Sequence, residues 1–241
     1  MLRLHPWSPR QVAAVLLAMT LFASNALAQA AEEAEVRVNF EDHPAGGPPP
    51  SFDTGLTGKG GPVRWKLLED ETAPNGPTVL AETSDDPTNN RFPLAILKGF
   101  EAKDVEVRVR FKPVSGKVDQ AAGLMVRVRD ANNYYIARAN ALEDNVRLYK
   151  VVDGKRQQFA GVKVKVPRGE WQQLGLRAEG DRLTVSLDGK ELFSATDRTF
   201  AGAGRVGLWT KADSLTYFDD LVVHRLGALG YELMPRPKTA G

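Results

Sequence analysis

The stretch Gln120–Val152 gathers the side chains best suited to holding a ligand. Arginines stand at 127, 129, 138 and 147, with tyrosines at 134 and 149. Guanidinium forks bind carboxylates or vicinal hydroxyls, and aromatic rings pack against the apolar faces of sugars. Arg91 and Asn90, just before Pro93, could reach the same surface from a loop. Trp65, flanked by Arg64 and Lys66, is a candidate stacking platform, whereas Trp171 begins an apolar strand and is expected in the core. The candidate ligand-binding set is therefore Arg91, Arg127, Arg129, Tyr134, Arg138, Arg147, Tyr149 and Trp65.

Other chemistries find little support. His43 lies in a Pro/Gly loop and His224 near a strand end, with no Ser, Cys or second His at informative spacing. A hydrolytic triad or a zinc site is not indicated. Gly58–Gly61 precede no helical pattern, so they do not form a phosphate loop. A glycosidase needs two carboxyls flanking one bond. The Arg/Tyr face shows no paired acids, and loops such as Glu82–Asp86 or Glu143-Asp144 would have to supply them, so the residues read as binding rather than catalytic.

These side chains need strands to position them. Leu124, Val126 and Val128 alternate with Met125, Arg127 and Arg129, and Tyr134, Ile136 and Arg138 alternate with Tyr135, Ala137 and Ala139. Alternation of period two predicts three consecutive strands with one apolar and one Arg/Tyr face. Asp130–Asn133 and Glu143–Asn145 supply the turns. Val105, Val107, Val109 and Phe111 form the cleanest strand, and Asp153-Gly154 and Asp188-Gly189 are hairpin signals. His43–Gly61, rich in Pro and Gly, reads as loop. About a dozen short strands without a helical period predict an all-β sandwich, which the resemblance described below specifies as an antiparallel two-sheet jelly roll. In such a fold the first and last strands lie side by side. Glu41, Asp42, Asp219 and Asp220 would then gather at one edge as candidate ligands of a structural calcium ion, which takes six to eight oxygens.

The beginning of the chain is of another kind. Arg3 and Arg10 precede the apolar run Val12–Ala23, followed by Ala26-Leu27-Ala28. A basic segment, a short apolar run and an Ala-x-Ala site predict a signal peptide over 1–28 and export to the periplasm or beyond. The run is too short for a comfortable membrane span, so no span is expected after cleavage. Losing Arg3 and Arg10 from 32 basic residues balances the rest against 30 acidic ones. Nothing in that balance points to nucleic acid. The expected organisation is one domain over 36–226, acting as a monomer, and a flexible tail over 227–241.

Four segments, AGLMVRVRDANNYYIAR (121–138), VRLYKVVDGKR (146–156), EWQQLGLRAEGDRLTVSLDGKELF (170–193) and GRVGLWTKADSLTYFDD (204–220), together with NFED (39–42), carry a resemblance. They resemble exported bacterial concanavalin A-like jelly rolls, the laminin-G-like, 3-keto-disaccharide hydrolase-type and family-16 glycoside hydrolase-like domains. The resemblance implies two curved antiparallel sheets and a glycan bound on the concave sheet or at its rim. It departs from the enzymes at two points. The Glu-x-Asp-x-(x)-Glu strand motif of family 16 is absent. Where the 3-keto-disaccharide hydrolase relatives show a Gly-Tyr-Glu-x-Gln type segment, this chain reads NYYIARANAL, without the glutamate. The resemblance therefore implies a lectin-like domain, with glycoside hydrolysis or a non-catalytic envelope interaction as the alternatives.

Overall fold

A computed structural model describes residues 35–227. The predicted signal peptide over 1–28 and nearly all of the predicted tail, from 228 onward, lie outside the described residues. Among those described there are fifteen strands and no helix. They are β1 (Glu35–Val38), β2 (Phe52–Gly58), β3 (Trp65–Glu69), β4 (Thr78–Glu82), β5 (Arg91–Leu97), β6 (Val105–Ser115), β7 (Ala121–Asp130), β8 (Asn133–Asn140), β9 (Asn145–Val152), β10 (Lys155–Lys163), β11 (Gln172–Glu179), β12 (Arg182–Leu187), β13 (Lys190–Thr196), β14 (Arg205–Trp209) and β15 (Leu215–Arg225). No helix among the described residues is long and apolar enough to cross a membrane.

Two antiparallel sheets form the sandwich. One runs β13-β12-β11-β6-β15-β4-β3, with β1 paired to β15; the other runs β10-β9-β8-β7-β14-β5-β2. The first and last strands do meet: Glu35 to Val38 pair with His224 to Leu221. Alternation places Val105, Val107, Val109 and Phe111 of β6 in the core, together with Leu174 and Leu176 of β11 and Leu183 and Val185 of β12. Facing them from the second sheet are Leu124, Val126, Tyr135, Ala137, Leu148 and Leu208. Each such side chain, fully buried, contributes roughly 1.5–3 kcal/mol.

The sequence reading misses β2, which it assigns to loop. Phe52–Gly58 is an edge strand paired only with β5, and its two glycines and neighbouring prolines mask the alternation. Trp65 is also corrected. It is 2% exposed, packed in the core against Phe218, and no surface ligand reaches it. Trp171, expected in the core, is only half-buried, with the Lys112 ammonium over its ring.

Two arginines assigned to the ligand face are structural. Arg91 lies on the core side of β5, where it forms a wholly buried ion pair with Glu82 of β4 and ties one sheet to the other. Arg127 sits at a bulge in β7 with φ of 51°. One extra residue in a strand reverses the side-chain alternation beyond it. Val128 therefore joins the face of Met125, and Arg127 turns inward. There it donates to the carbonyls of Lys103 (2.9 Å), Phe200 (2.9 Å) and Gly180 (2.6 Å). Arg129, beyond the bulge, lies over the Phe200 ring on the core side of the sheet rather than on the Arg/Tyr face.

Candidate functional site

The second sheet has a face turned away from the sandwich core. It carries Phe92, Leu94 and Ile96 of β5, Met125 of β7, Tyr134 and Ile136 of β8, Tyr149 and Val151 of β9, and Trp209 of β14. In a flat sheet β2 and β8 would stand four strand spacings apart, roughly 19 Å. Yet the Thr57 and Tyr134 hydroxyls are 2.8 Å apart, and Thr57 also bonds the Ala131 carbonyl. The sheet is rolled with this face inside, so it is the concave one. Strand twist accumulates across the sheet, which brings the β7–β8 turn over the end of β2.

Tyr134 braces this roll. Its hydroxyl also meets Trp209 Nε1 at 3.2 Å. Burial pushes its pKa up to about 12, against the hydrogen bonds from Thr57 and Trp209, so the phenol stays neutral.

At the mouth of the roll lies a cavity of about 400 Å³, lined by Gly58, Lys59, Asn90, Phe92, Gly154, Lys155 and Arg156. Arg156 dominates it. The hairpin turn at Asp153-Gly154 sets Arg156 opposite Val151, hence on the concave side. Its guanidinium carbon lies 4.5 Å from the Tyr149 ring centre, 4.7 Å from Phe92 and 5.6 Å from Trp209. Phe92 and Trp209 are themselves stacked at 5.3 Å. A guanidinium over aromatic faces is held by the ring quadrupoles. Arg156 Nη1 is buried without a hydrogen-bond partner among the described residues.

Next to it is a polar network. Arg138 lies 5.7 Å from the same Tyr149 ring and donates to Glu143 (2.9 Å) and Asn145 (2.6 Å), while its Nε has no partner among the described residues. Asn140 and Lys211 both bond the Asp119 carboxylate, at 2.6 and 2.5 Å. Arg147 stands 3.7 Å from Glu143. Burial works against the charge of Glu143, but hydrogen bonds from Asn145 and Arg138 and the charges of Arg138 and Arg147 prevail and take its pKa to about 2.

Of the eight predicted ligand residues, four meet on this face: Tyr134, Arg138, Arg147 and Tyr149. Tyr134 is a buried brace rather than a contact surface. Sequence reasoning missed Arg156, Phe92, Trp209, Asp119 and Lys211. Arg156 was within reach, because a two-residue Asp-Gly turn fixes the register of β10. The others come together only through the roll of the sheet. β8 presents Tyr134, Ile136, Arg138 and Asn140 to the concave face, and no carboxylate.

At the β1–β15 seam, Asp42 and Asp220 line a cavity of about 290 Å³ with Asn75. Glu41 is engaged by Thr78 and Asp220 by Asn75. Asp219 is fully buried and its Oδ2 lacks a partner among the described residues. No three acidic or histidine side chains among those residues converge as metal ligands would.

The model of the family described as the 3-keto-alpha-glucoside-1,2-lyase-like domain matches residues 50–224. The chain belongs to that family. Its match runs from the approach to β2 almost to the end of β15, so it covers both sheets and the rolled face. A levanase of Bacillus subtilis (strain 168) is 34% identical over 89 residues, 36% of this chain and 13% of the levanase. The chain thus spans a small fraction of that relative. The carbohydrate binding module CBM66 from Bacillus subtilis superposes with a TM-score of 0.54 at 24% identity, over 70% of this chain and 95% of the module. The exoplasmic/lumenal domain of VIP36, solved bound to Ca2+ and mannose, superposes at 0.52 with 14% identity, over 74% of this chain and 84% of that one. At these identities the likeness shows the fold, a concanavalin A-like jelly roll.

Proposed function

We propose that the protein is an exported carbohydrate-binding domain that seats a sugar on the concave face of the seven-stranded sheet, at the cavity between Phe92 and Arg156. The observation that carries this is the cluster of Phe92, Trp209 and Tyr149 beneath one guanidinium, beside a cavity of about 400 Å³. Ligand pockets of such size combine apolar walls with a few convergent polar groups. The levanase and the carbohydrate binding module among its relatives support the same reading. Glycan cleavage gains less support. Glu143 is held ionised and unsuited to donating a proton, and Asp119 is committed to Lys211 and Asn140.

The test is a glycan array with the mature protein, followed by calorimetry and an assay for reducing-sugar release. Binding without release, weakened at least tenfold by Tyr149→Ala, is the expected result. Turnover abolished by replacing Asp119 or Glu143 would install the enzymatic reading instead. Mass spectrometry of the exported chain, expected to begin at Gln29, checks cleavage after Ala28; gel filtration checks that it acts as a monomer.

A structural calcium ion at the β1–β15 seam is a second part of the proposal. The orphaned Asp219 Oδ2, buried near Asp220 and Glu41, supports it. Glu41 would stay with Thr78. Chelator then lowers the melting temperature and added calcium restores it; an unchanged melt in excess EDTA removes the ion from the scheme.

A further inference from the structure

We propose that the sugar selected by this domain carries a carboxylate, as a hexuronate does. The inference rests on the concave-face reading above and adds the charge of the ligand. Three cations, Lys59, Lys155 and Arg156, line the cavity, and no lining residue is acidic. The nearby acids are already engaged, Glu143 by Arg138 and Arg147, and Asp119 by Lys211. Arg156 has no ion-pair partner among the described residues.

Burial sharpens the imbalance. Arg156 Nη1 and Arg138 Nε are both buried donors without acceptors, and their guanidiniums share the Tyr149 ring. A buried charged donor left unpaired is costly. The aromatic rings stabilise the cation through its face but supply no acceptor in the plane of its N–H bonds, and two carboxylate oxygens match that edge. A neutral sugar offers hydroxyl acceptors but leaves the positive charge uncompensated. By contrast, the cavity beside Arg127 sets Asp181 and Asp197 against Lys103, Arg127 and Arg198, so it carries an excess of one cation rather than three.

The experiment uses the full mature chain and calorimetric titration with trimers of galacturonate, glucuronate and mannuronate, each as free acid and as methyl ester, and with the matching neutral hexose trimers. At least one free acid is expected to bind more tightly than its ester and its neutral counterpart, with affinity falling as salt rises. Arg156→Gln is expected to weaken that acid roughly 10- to 150-fold and to bring the acid-to-ester ratio toward one. Arg156→Lys, which keeps the charge but loses the fork, is expected to retain part of the preference; circular dichroism of both variants checks folding. Esters or neutral trimers binding as well as every acid would overturn the carboxylate inference and leave the sugar reading standing. Failure of acids, esters and neutral trimers alike would overturn both.

Discussion

Replacing Glu82 with alanine tests how the two sheets are joined. Both side chains of the Glu82–Arg91 pair are 0% exposed, with 3.0 Å between charged atoms. The carboxylate also accepts from the backbone of Arg64 (2.8 Å) and Ser84 (3.2 Å). Alanine strands the guanidinium, which keeps the carbonyls of Gly61, Pro62 and Ala212 but has only Asp86, at 3.8 Å, for countercharge. Removing one partner of a buried pair costs about 3–5 kcal/mol. For a domain of this size that lowers the melting temperature by roughly 6–20 °C. Replacing both partners together, Glu82→Leu with Arg91→Met, removes the stranded charge and is expected to return most of that loss. Urea unfolding followed by tryptophan fluorescence measures Glu82→Ala, and on the parent, Glu82→Leu, Arg91→Met and the double variant it closes the double-mutant cycle and isolates the pair. The reasoning fails if Glu82→Ala costs under about 1 kcal/mol, or if the double variant is as unstable as the summed singles.

Three more outcomes follow from the same geometry. Tyr134→Phe leaves Trp209 Nε1 and Thr57 short of a partner across the roll and is expected to cost about 1–3 kcal/mol in urea unfolding. Gly204→Ala would place a Cβ 2.6 Å from the carbonyl carbon of Arg127, where rigid backbone cannot yield, and a loss of about 1–3 kcal/mol is expected. Asp219 has its pKa raised to about 7 by burial and by the charges of Asp220 and Glu41, from 3.8 unfolded. The folded state therefore binds more protons between those values, and its stability falls as pH rises from about 4 to 7, then levels off. Asp219→Asn, melted in EDTA, should be more stable than the parent above pH 7 by roughly 1–3 kcal/mol and equal to it below pH 4; equal melts at pH 8 would contradict this.

The sandwich was legible because most of its strands are amphipathic. Val105 to Phe111 and Leu174 to Ala178 alternate without interruption, and Asp-Gly turns mark their neighbours' hairpins. Periodicity fails where the backbone departs from the regular pleat. Arg127 looks like the partner of Met125 in the sequence, but a left-handed bulge sends it the opposite way. Arg91 looks like a free cation, and only the three-dimensional path of β4 reveals Glu82 beside it. The site itself was half visible. Arg138, Arg147 and Tyr149 lie within one meander, whereas Phe92 and Trp209 come from β5 and β14, sequence-distant strands that neighbour the meander only once the sheet is assembled and rolled.

The three carbonyls held by Arg127 belong to the β5–β6, β11–β12 and β13–β14 connections. Those connections share one anchor, so an insertion in any of them drags on the other two. Over evolutionary time they are expected to keep their lengths together. Of the segments that frame the cavity, those around Lys59 and Asn90 are tied to each other and to Arg91, whereas the turn at Gly154 lies outside both arginine anchors and is freer to diversify. Relatives on this scaffold could therefore change the sugar they take without disturbing the far side of the molecule.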